Sequence, residues 1–417
     1  MTDPLRIEAD YLIETAQAPE DAAAIMAGEQ SSGTFRAVPG ETPELKERAA
    51  ARVERLTELA EVTVPSLPGA SGAAGAVRTQ ARVTLSWPLD NLGPSLPNLI
   101  ATLAGNLFEL KPFSGIRLMD IRLPTAFSKA YPGPKFGMDG TRRLSGVDAR
   151  PTIGTIIKPS VGLSPEDTGD LVRQLCEGGI DFIKDDELQA DSPSCPFEDR
   201  VHAVMAVVNA YADKTGKKPM VAFNLTGEID DMRRRHDLVV DAGGTCIMAS
   251  LNAVGMSGMI ALGRHTALPL HAHRCGWGAL TRAPMLGWDY AAWAKLWRLA
   301  GADHMHVNGI DNKFTESDAS VIASARSLSE PLFESNAMRA VPVFSSGQTV
   351  HQAAATLAAA GSPDLIVTAG GGIAAHPNGV AAGVEAMRAA YDAASAGIDV
   401  LEYAKDHPAL AAALQAF

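Results

Sequence analysis

Cysteine is scarce in this 417-residue chain: Cys176, Cys195, Cys246 and Cys275 are the four present, and none lies close to another. No spacing here builds a zinc site or a disulfide framework, so the thiols read as free groups in a reducing compartment. Long apolar runs are missing as well. Nothing approaches the roughly 20 apolar residues that cross a bilayer, and the opening Met1-Thr2-Asp3-Pro4-Leu5-Arg6 lacks the apolar stretch of a signal peptide. A cytoplasmic location with no membrane partner is the expectation. Basic charge is in deficit: 36 Lys and Arg against 48 Asp and Glu leave a net charge of −12. That balance argues against nucleic acid as a partner and requires any anionic substrate to find a local basic pocket. With 46% hydrophobic and 20% charged residues the chain can bury a sizeable core, and its length favours one small and one large domain.

Residues 5–15 alternate apolar and polar as an amphipathic strand, 18–27 read as a short helix, and 44–60, rich in Arg and Glu, as a longer one. Strands are expected at 76–87 and 115–123, with a helix at 97–108 between them. Strands and helices without regular alternation predict an α+β domain over 1–130. A linker over 131–149 follows, opening on the breaker-rich Tyr131-Pro132-Gly133-Pro134-Lys135-Phe136-Gly137. From about residue 150 the alternation becomes strict. Strands are expected at 152–158, 180–184, 220–224, 245–249, 268–273, 304–307, 341–345 and 364–368, and helices at 165–177, 198–215, 230–242, 290–300, 315–330, 349–360 and 380–394. Eight βα units over 150–417 make a closed (β/α)8 TIM barrel with C-terminal helices, in preference to an open doubly wound sheet.

A barrel places chemistry just past the carboxyl ends of its strands. Those ends read Lys158, Lys184-Asp185-Asp186-Glu187, Asn224, His271 with His273-Arg274, His304 with His306, Ser345, and Gly370-Gly371-Gly372. Any one of them alone reads as a structural or solvated residue. Their convergence on one face reads as an enzyme. The densest stretch is Gly178-Gly179-Ile180-Asp181-Phe182-Ile183-Lys184-Asp185-Asp186-Glu187. Strand alternation sends Lys184 and Asp186 to one side and Asp185 to the other, and Glu187 can swing back toward the first pair. An ammonium and two carboxylates there form either a solvated salt bridge or a site for a hard cation. In the second case a desolvated amine could add carbon dioxide and supply a third anionic oxygen donor.

That decapeptide resembles the activation motif of RuBisCO and the RuBisCO-like (type IV) proteins, and the resemblance runs in order along nearly the whole chain. Gly154-Thr155-Ile156-Ile157-Lys158-Pro159, Leu270-His271-Ala272-His273-Arg274, Gly301-Ala302-Asp303-His304-Met305-His306, Pro342-Val343-Phe344-Ser345-Ser346-Gly347 and Gly370-Gly371-Gly372 are each similar to family segments. So are Glu29 with Ser31-Ser32-Gly33-Thr34-Phe35, and Gly105-Asn106-Leu107-Phe108. The resemblance implies a ferredoxin-like first domain before the TIM barrel, and Mg2+ held by carbamylated Lys184 with Asp186 and Glu187. It implies Lys158 as the base, His273 as a catalytic proton carrier and Lys313, seven residues past His306, as a mobile-loop lysine, although a solvated loop lysine is the other reading of Lys313. Arg274 and His306 are implied for one phosphate, and Ser345, Gly347, Gly370 and Gly371 for another, with Thr34 and Asn106 reaching a neighbouring subunit's site in a homodimer or larger homo-oligomer. His271 and His304 are expected to be structural.

Several positions depart from the carboxylase pattern. Ser160 stands for a second lysine, Phe35 for Trp, Trp277 for His, Val307-Asn308 for Ser-Gly, and Ser346 for the first glycine of Ser-Gly-Gly. These changes spare the metal set and the base, which implies enolate chemistry on a small phosphorylated sugar or sugar acid by a protein that is not a true carboxylase. With Lys158, Asn106 and Lys313 all kept, the implied reaction is decarboxylation or carbon–carbon cleavage of a phosphorylated 3-oxo acid such as 3-oxo-isoapionate 4-phosphate. An isomerase or tautomerase of a methylthioribulose phosphate is the alternative, followed by a true carboxylase or a non-catalytic barrel.

Overall fold

The computed structural model describes residues 5–33 and 38–417. Two compact units form: residues 1–132 together with 276–299, and residues 133–275 together with 300–417.

In the first unit β1 (Arg6–Thr15), β2 (Arg52–Val62), β3 (Arg78–Pro88) and β4 (Phe113–Arg122) make an antiparallel sheet in the order β4-β1-β3-β2. Helices Pro19–Glu29 and Leu96–Ala104 connect β1 toward β2 and β3 to β4. This is the ferredoxin-like arrangement. The sheet's inner face buries Ile7, Ala9, Tyr11 and Ile13 of β1 and Ala81, Val83, Leu85 and Trp87 of β3, each 0% exposed.

The helix expected at 44–60 is overturned. A helix over Pro43–Ala49 starts on the Thr42 cap and stops where Ala50 turns extended (ψ 137°), and β2 follows. The Glu, Arg and Leu of 52–62 favour a helix locally, but pairing with β3 from Arg52↔Ser86 to Val62↔Arg78 overrides that preference. β2 is an edge strand with almost every residue exposed, so it carries no buried face and no period-2 apolar signal.

In the second unit eight parallel strands close a barrel: β5 (Thr152–Ile156), β6 (Phe182–Lys184), β7 (Met220–Asn224), β8 (Cys246–Ser250), β9 (Leu270–His273) and, after β10 (Leu286–Trp288), β11 (His304–Asn308), β12 (Val341–Phe344) and β13 (Ile366–Thr368). β10 belongs instead to the first unit, where it extends the sheet by pairing in parallel with β4. Phe182, Met220, Ala222, Cys246, Met248, Val341, Val343 and Ile366 fill the barrel interior. Part of the stretch read as a linker is a helix, Gly137–Ser145, whose Met138 and Leu144 pack on that interior. Its Thr141 Oγ1 lies 2.8 Å from Nε2 of His304.

Interior parity carries each strand toward the functional end. Phe182 leads to Lys184, Ala222 to Asn224, Met248 to Ser250, His271 to His273, His304 to His306, and Val343 to Ser345. No helix among the described residues is long and apolar enough to cross a membrane.

Candidate active site

Lys184 sits at the end of β6 with its whole side chain buried. Its Nζ donates to the Asp185 carbonyl at 2.8 Å and lies 3.5 Å from Oε2 of Glu187. Burial pushes this amine below the usual lysine range, and the attraction of Glu187 and Asp186 only partly restores it. Asp185 points the other way, as strand alternation requires. It accepts from buried Arg200 at 3.2 Å and from the Asn224 backbone at 2.9 Å, and so anchors the strand end to the surrounding helix. Asn224 braces the turn from the other side, its Nδ2 donating to the carbonyls of Asp186 and Glu187 at 3.2 and 3.3 Å.

Asp186 accepts from Lys158 Nζ at 2.6 Å, and the same ammonium donates to Ser160 Oγ at 2.7 Å. Ser160, the departure beside the base, is thus a direct partner of that base. The Lys158 side chain is 38% exposed, so this lysine stands partly open to solvent at the mouth of the site. Burial raises the Glu187 carboxyl, while Lys184 and Lys158 outweigh that effect and hold it below the usual range. Nε2 of His273 lies 3.6 Å from Glu187 Oε2.

A hard divalent cation suits this donor set. Two carboxylates and one desolvated amine converge, and a lysine nitrogen already sits on each acid. The amine is of the kind that adds to carbon dioxide, since burial favours its neutral, nucleophilic form.

The histidines are stacked through the barrel. His304, the deepest, is pushed by burial to about 3. His271 and His306 share an Nε2···Nε2 contact of 2.8 Å, and His306 Nδ1 lies 3.0 Å from Ser345 Oγ. Burial drives His271, His273 and His306 all well below the usual imidazole range, so they are neutral. Among the described residues, buried His273 Nδ1 and Ser250 Oγ have no hydrogen-bond partner. Ser250 falls one residue past the strand expected at 245–249 and so carries no strand-end signal there; the parity of Cys246 and Met248 points to it.

Arg274, which the resemblance implies at a phosphate, donates through Nη2 to Glu316 Oε2 at 2.5 Å. Lys313 is exposed on the loop after β11. Its backbone N donates to Ser346 O at 3.1 Å, and its stem lies against the place a side chain at position 347 would take. Gly370 lies beside the Lys158 stem, and the helix that starts at Gly371 is a single turn, Gly371–Ala374. The second unit therefore gathers Lys158, Lys184, Asp186, Glu187, His273, Arg274, His306, Lys313, Ser345, Gly347, Gly370 and Gly371 at the carboxyl ends of its strands. Asn106 belongs to the first unit, where its Nδ2 donates to Glu29 at 3.4 Å, and Thr34 lies outside the described residues.

His236, Asp237 and His265 also come together elsewhere in this unit. The Ala267 N–H donates to His236 Nε2 at 3.0 Å, which leaves the ring proton on Nδ1, facing Asp237 at 2.8 Å. That protonation suits an anchor between helices and not a metal ligand.

Comparison with known proteins agrees with this fold. Residues 137–417 match the family described as Ribulose bisphosphate carboxylase large chain, catalytic domain, and residues 9–127 match its N-terminal domain. The chain is 60% identical over 409 residues to the 3-oxo-isoapionate-4-phosphate transcarboxylase/hydrolase of Xanthobacter autotrophicus, covering 98% of each chain. It is 44% identical over 415 residues to the 3-oxo-isoapionate-4-phosphate decarboxylase of Rhizobium rhizogenes, covering 99% of each. A crystal structure of a rubisco-like protein from Burkholderia fungorum matches with a TM-score of 0.93 at 47% identity, over 99% of this chain and all of that one.

Proposed function

The chain belongs to the ribulose bisphosphate carboxylase large-chain family, and from that premise we propose that it is a RuBisCO-like enzyme that breaks the bond between the carboxylate and C2 of 3-oxo-isoapionate 4-phosphate. The observation that carries the chemistry is the union of buried Lys184 and Asp186 with half-buried Glu187 and Lys158 at one strand-end cluster. The substrate rests on full-length identities of 44–60% with proteins that act on it.

A 3-oxo acid loses carbon dioxide when the electron pair of the breaking C–C bond can spread onto the 3-oxo oxygen as an enediolate. Carbamylated Lys184, Asp186 and Glu187 would hold Mg2+, which when bound supplies a Lewis acid for two adjacent substrate oxygens. Asn224 keeps the backbone of Asp186 and Glu187 in place, and Arg200 holds Asp185 out of the site. Lys158 moves the proton. Released from Asp186, its Nζ delivers a proton to the carbon that lost carbon dioxide, with Ser160 Oγ as its resting partner. Neutral His273 orients a substrate hydroxyl, and exposed Lys313 reaches the departing carboxylate from the loop. The phosphate lies at Ser345, Gly347, Gly370 and Gly371, beside Lys158. Thr34 and Asn106 serve a neighbouring subunit in a cytoplasmic homodimer.

Two outcomes branch from the same enediolate. Protonation completes a decarboxylation. Attack on the carbon dioxide through the other enediolate carbon forms a new 3-oxo acid, which water then cleaves between its carbonyl and the adjacent carbon. The 60% relative favours the second outcome. Purified protein with Mg2+, bicarbonate and 3-oxo-isoapionate 4-phosphate should yield two acids from one; a single ketose phosphate plus carbon dioxide would assign the decarboxylase outcome. No consumption of this substrate, with proton exchange on a methylthioribulose phosphate, would replace the reading with an isomerase.

A further inference from the structure

We propose that Glu316 is a built-in anion that fills the Arg274 subsite and so restricts this site to substrates carrying one phosphate. The proposal rests on the reading that the Lys158–Glu187 end of the barrel is the active site. Arg274 directly follows β9 and is only 8% exposed, and a buried guanidinium at a barrel mouth is a fork made for a phosphate or carboxylate. Here the chain supplies the carboxylate. Glu316 comes from the loop between β11 and helix Asp318–Ser329, its side chain is 15% exposed, and its Oε2 accepts a hydrogen bond from Arg274 Nη2 at 2.5 Å.

Three further groups hold it there. Asn308 Nδ2 donates to the same Oε2 at 2.7 Å, Ser320 Oγ donates to Oε1 at 2.8 Å, and Asn312 Nδ2 donates to the Glu316 carbonyl at 3.1 Å. Asn308 is aimed in turn by Ser346, whose Oγ donates to Asn308 Oδ1 at 2.8 Å. Asn308 and Ser346 both adopt left-handed backbone, with φ of 68° and 72°, which disfavours side chains. They are also two of the positions where the sequence departs from glycine in the family pattern. Glycine would relieve the backbone but could make neither bond. The strain is therefore coupled to one result, a carboxylate fixed on Arg274.

With Glu316 in place the subsite is already charge-balanced. A second phosphate on a substrate would meet a carboxylate where it needs a cation, which is rejection by like charge. A phosphorylated 3-oxo acid with a single phosphate has no group to place there.

The test is equilibrium binding of a pentulose 5-phosphate and of the matching 1,5-bisphosphate to the full chain by calorimetry, which needs no turnover. The wild-type protein should bind the bisphosphate no more tightly than the monophosphate. Glu316→Gln should tighten the bisphosphate by about tenfold or more and change the monophosphate less than about twofold. Adding Arg274→Met to Glu316→Gln should remove that gain. Asn308→Gly, which loosens Glu316 without altering a charge, should shift the ratio in the same direction and serves if the Gln variant does not fold. Bisphosphate binding that is already tenfold tighter in the wild type and lost in Arg274→Met would overturn the proposal, because the substrate would then be displacing Glu316. An unchanged ratio in Glu316→Gln and Asn308→Gly would overturn it too. If 3-oxo-isoapionate 4-phosphate proves not to be a substrate while the ratio shifts as stated, the function reading fails and this one stands.

Discussion

Asp181 and Asp186 flank the three-residue strand β6, one at each end, and their surroundings differ in kind. Asp181, fully buried, accepts from Arg150 at 2.5 and 2.9 Å, from Lys217 at 2.7 Å and from the Ile153 backbone at 3.0 Å. These partners hold its carboxyl below the usual range in spite of burial. Every lone pair is used, and nothing is left over to bind a ligand. At the other end the bonds are few and exchangeable: Lys158 sits on Asp186 from a third-exposed side chain, Lys184 reaches Glu187 only at 3.5 Å, and His273 Nδ1 nearby is buried without a partner. One strand thus carries a closed charge cluster that fixes the barrel and an open one that is free to do chemistry. Charge density alone does not tell the two apart; saturation does.

Breaking the closed cluster should cost stability. Asp181→Ala strands two cations, each about a quarter exposed, and should lower the free energy of unfolding by about 3 kcal/mol, read from denaturant titration. Breaking the open cluster should cost activity instead. Lys184→Met removes the buried amine, and turnover should fall by at least about 10²-fold while the unfolding midpoint changes little, since burial already disfavours charge at that position. Undiminished activity would refute the carbamate role. Asn224→Ala leaves every charged group in place but unties the Asp186 and Glu187 carbonyls. Turnover should fall about 10- to 100-fold, with a raised Mg2+ requirement in an activation curve.

The smallest effect per residue is in pH. His271, His273, His304 and His306 are held neutral by burial, their folded-state values lowered. The unfolded chain binds a proton at each below about 6.5, so folding stability is fully present above that pH and is lost as pH falls through it. The loss should be about 0.8 kcal/mol per histidine between pH 7.5 and 6. Denaturation at the two pH values should show it, and equal stability would mean that the imidazoles are charged in the fold.

Much of this contrast was legible in the sequence. Strand parity placed Lys184 with Asp186 and set Asp185 apart, and the eight strands fell at their expected places because each is short, apolar and bounded by turns. β2 was illegible because an edge strand exposed on both faces has no periodic apolar signal, and Glu, Arg and Leu then read as helix. Glu316 was illegible for another reason: its partner Arg274 is 42 residues away, and only folding brings them together. Ser160 reads in the sequence as a mere loss of lysine, whereas in the fold its hydroxyl accepts from Lys158.

The central claim is that the open cluster, through Lys184, drives loss of the substrate carboxylate. The direct measurement is 13C NMR of 3-oxo-isoapionate 4-phosphate labelled in its carboxyl carbon, incubated with Mg2+ and either the wild-type protein or Lys184→Met. The label should leave C2 with the wild type, appearing as bicarbonate or in the carboxylate of a cleaved product, and stay bonded to C2 with the variant. A label that stays on C2 with the wild-type protein, or that leaves equally fast with Lys184→Met, would contradict it.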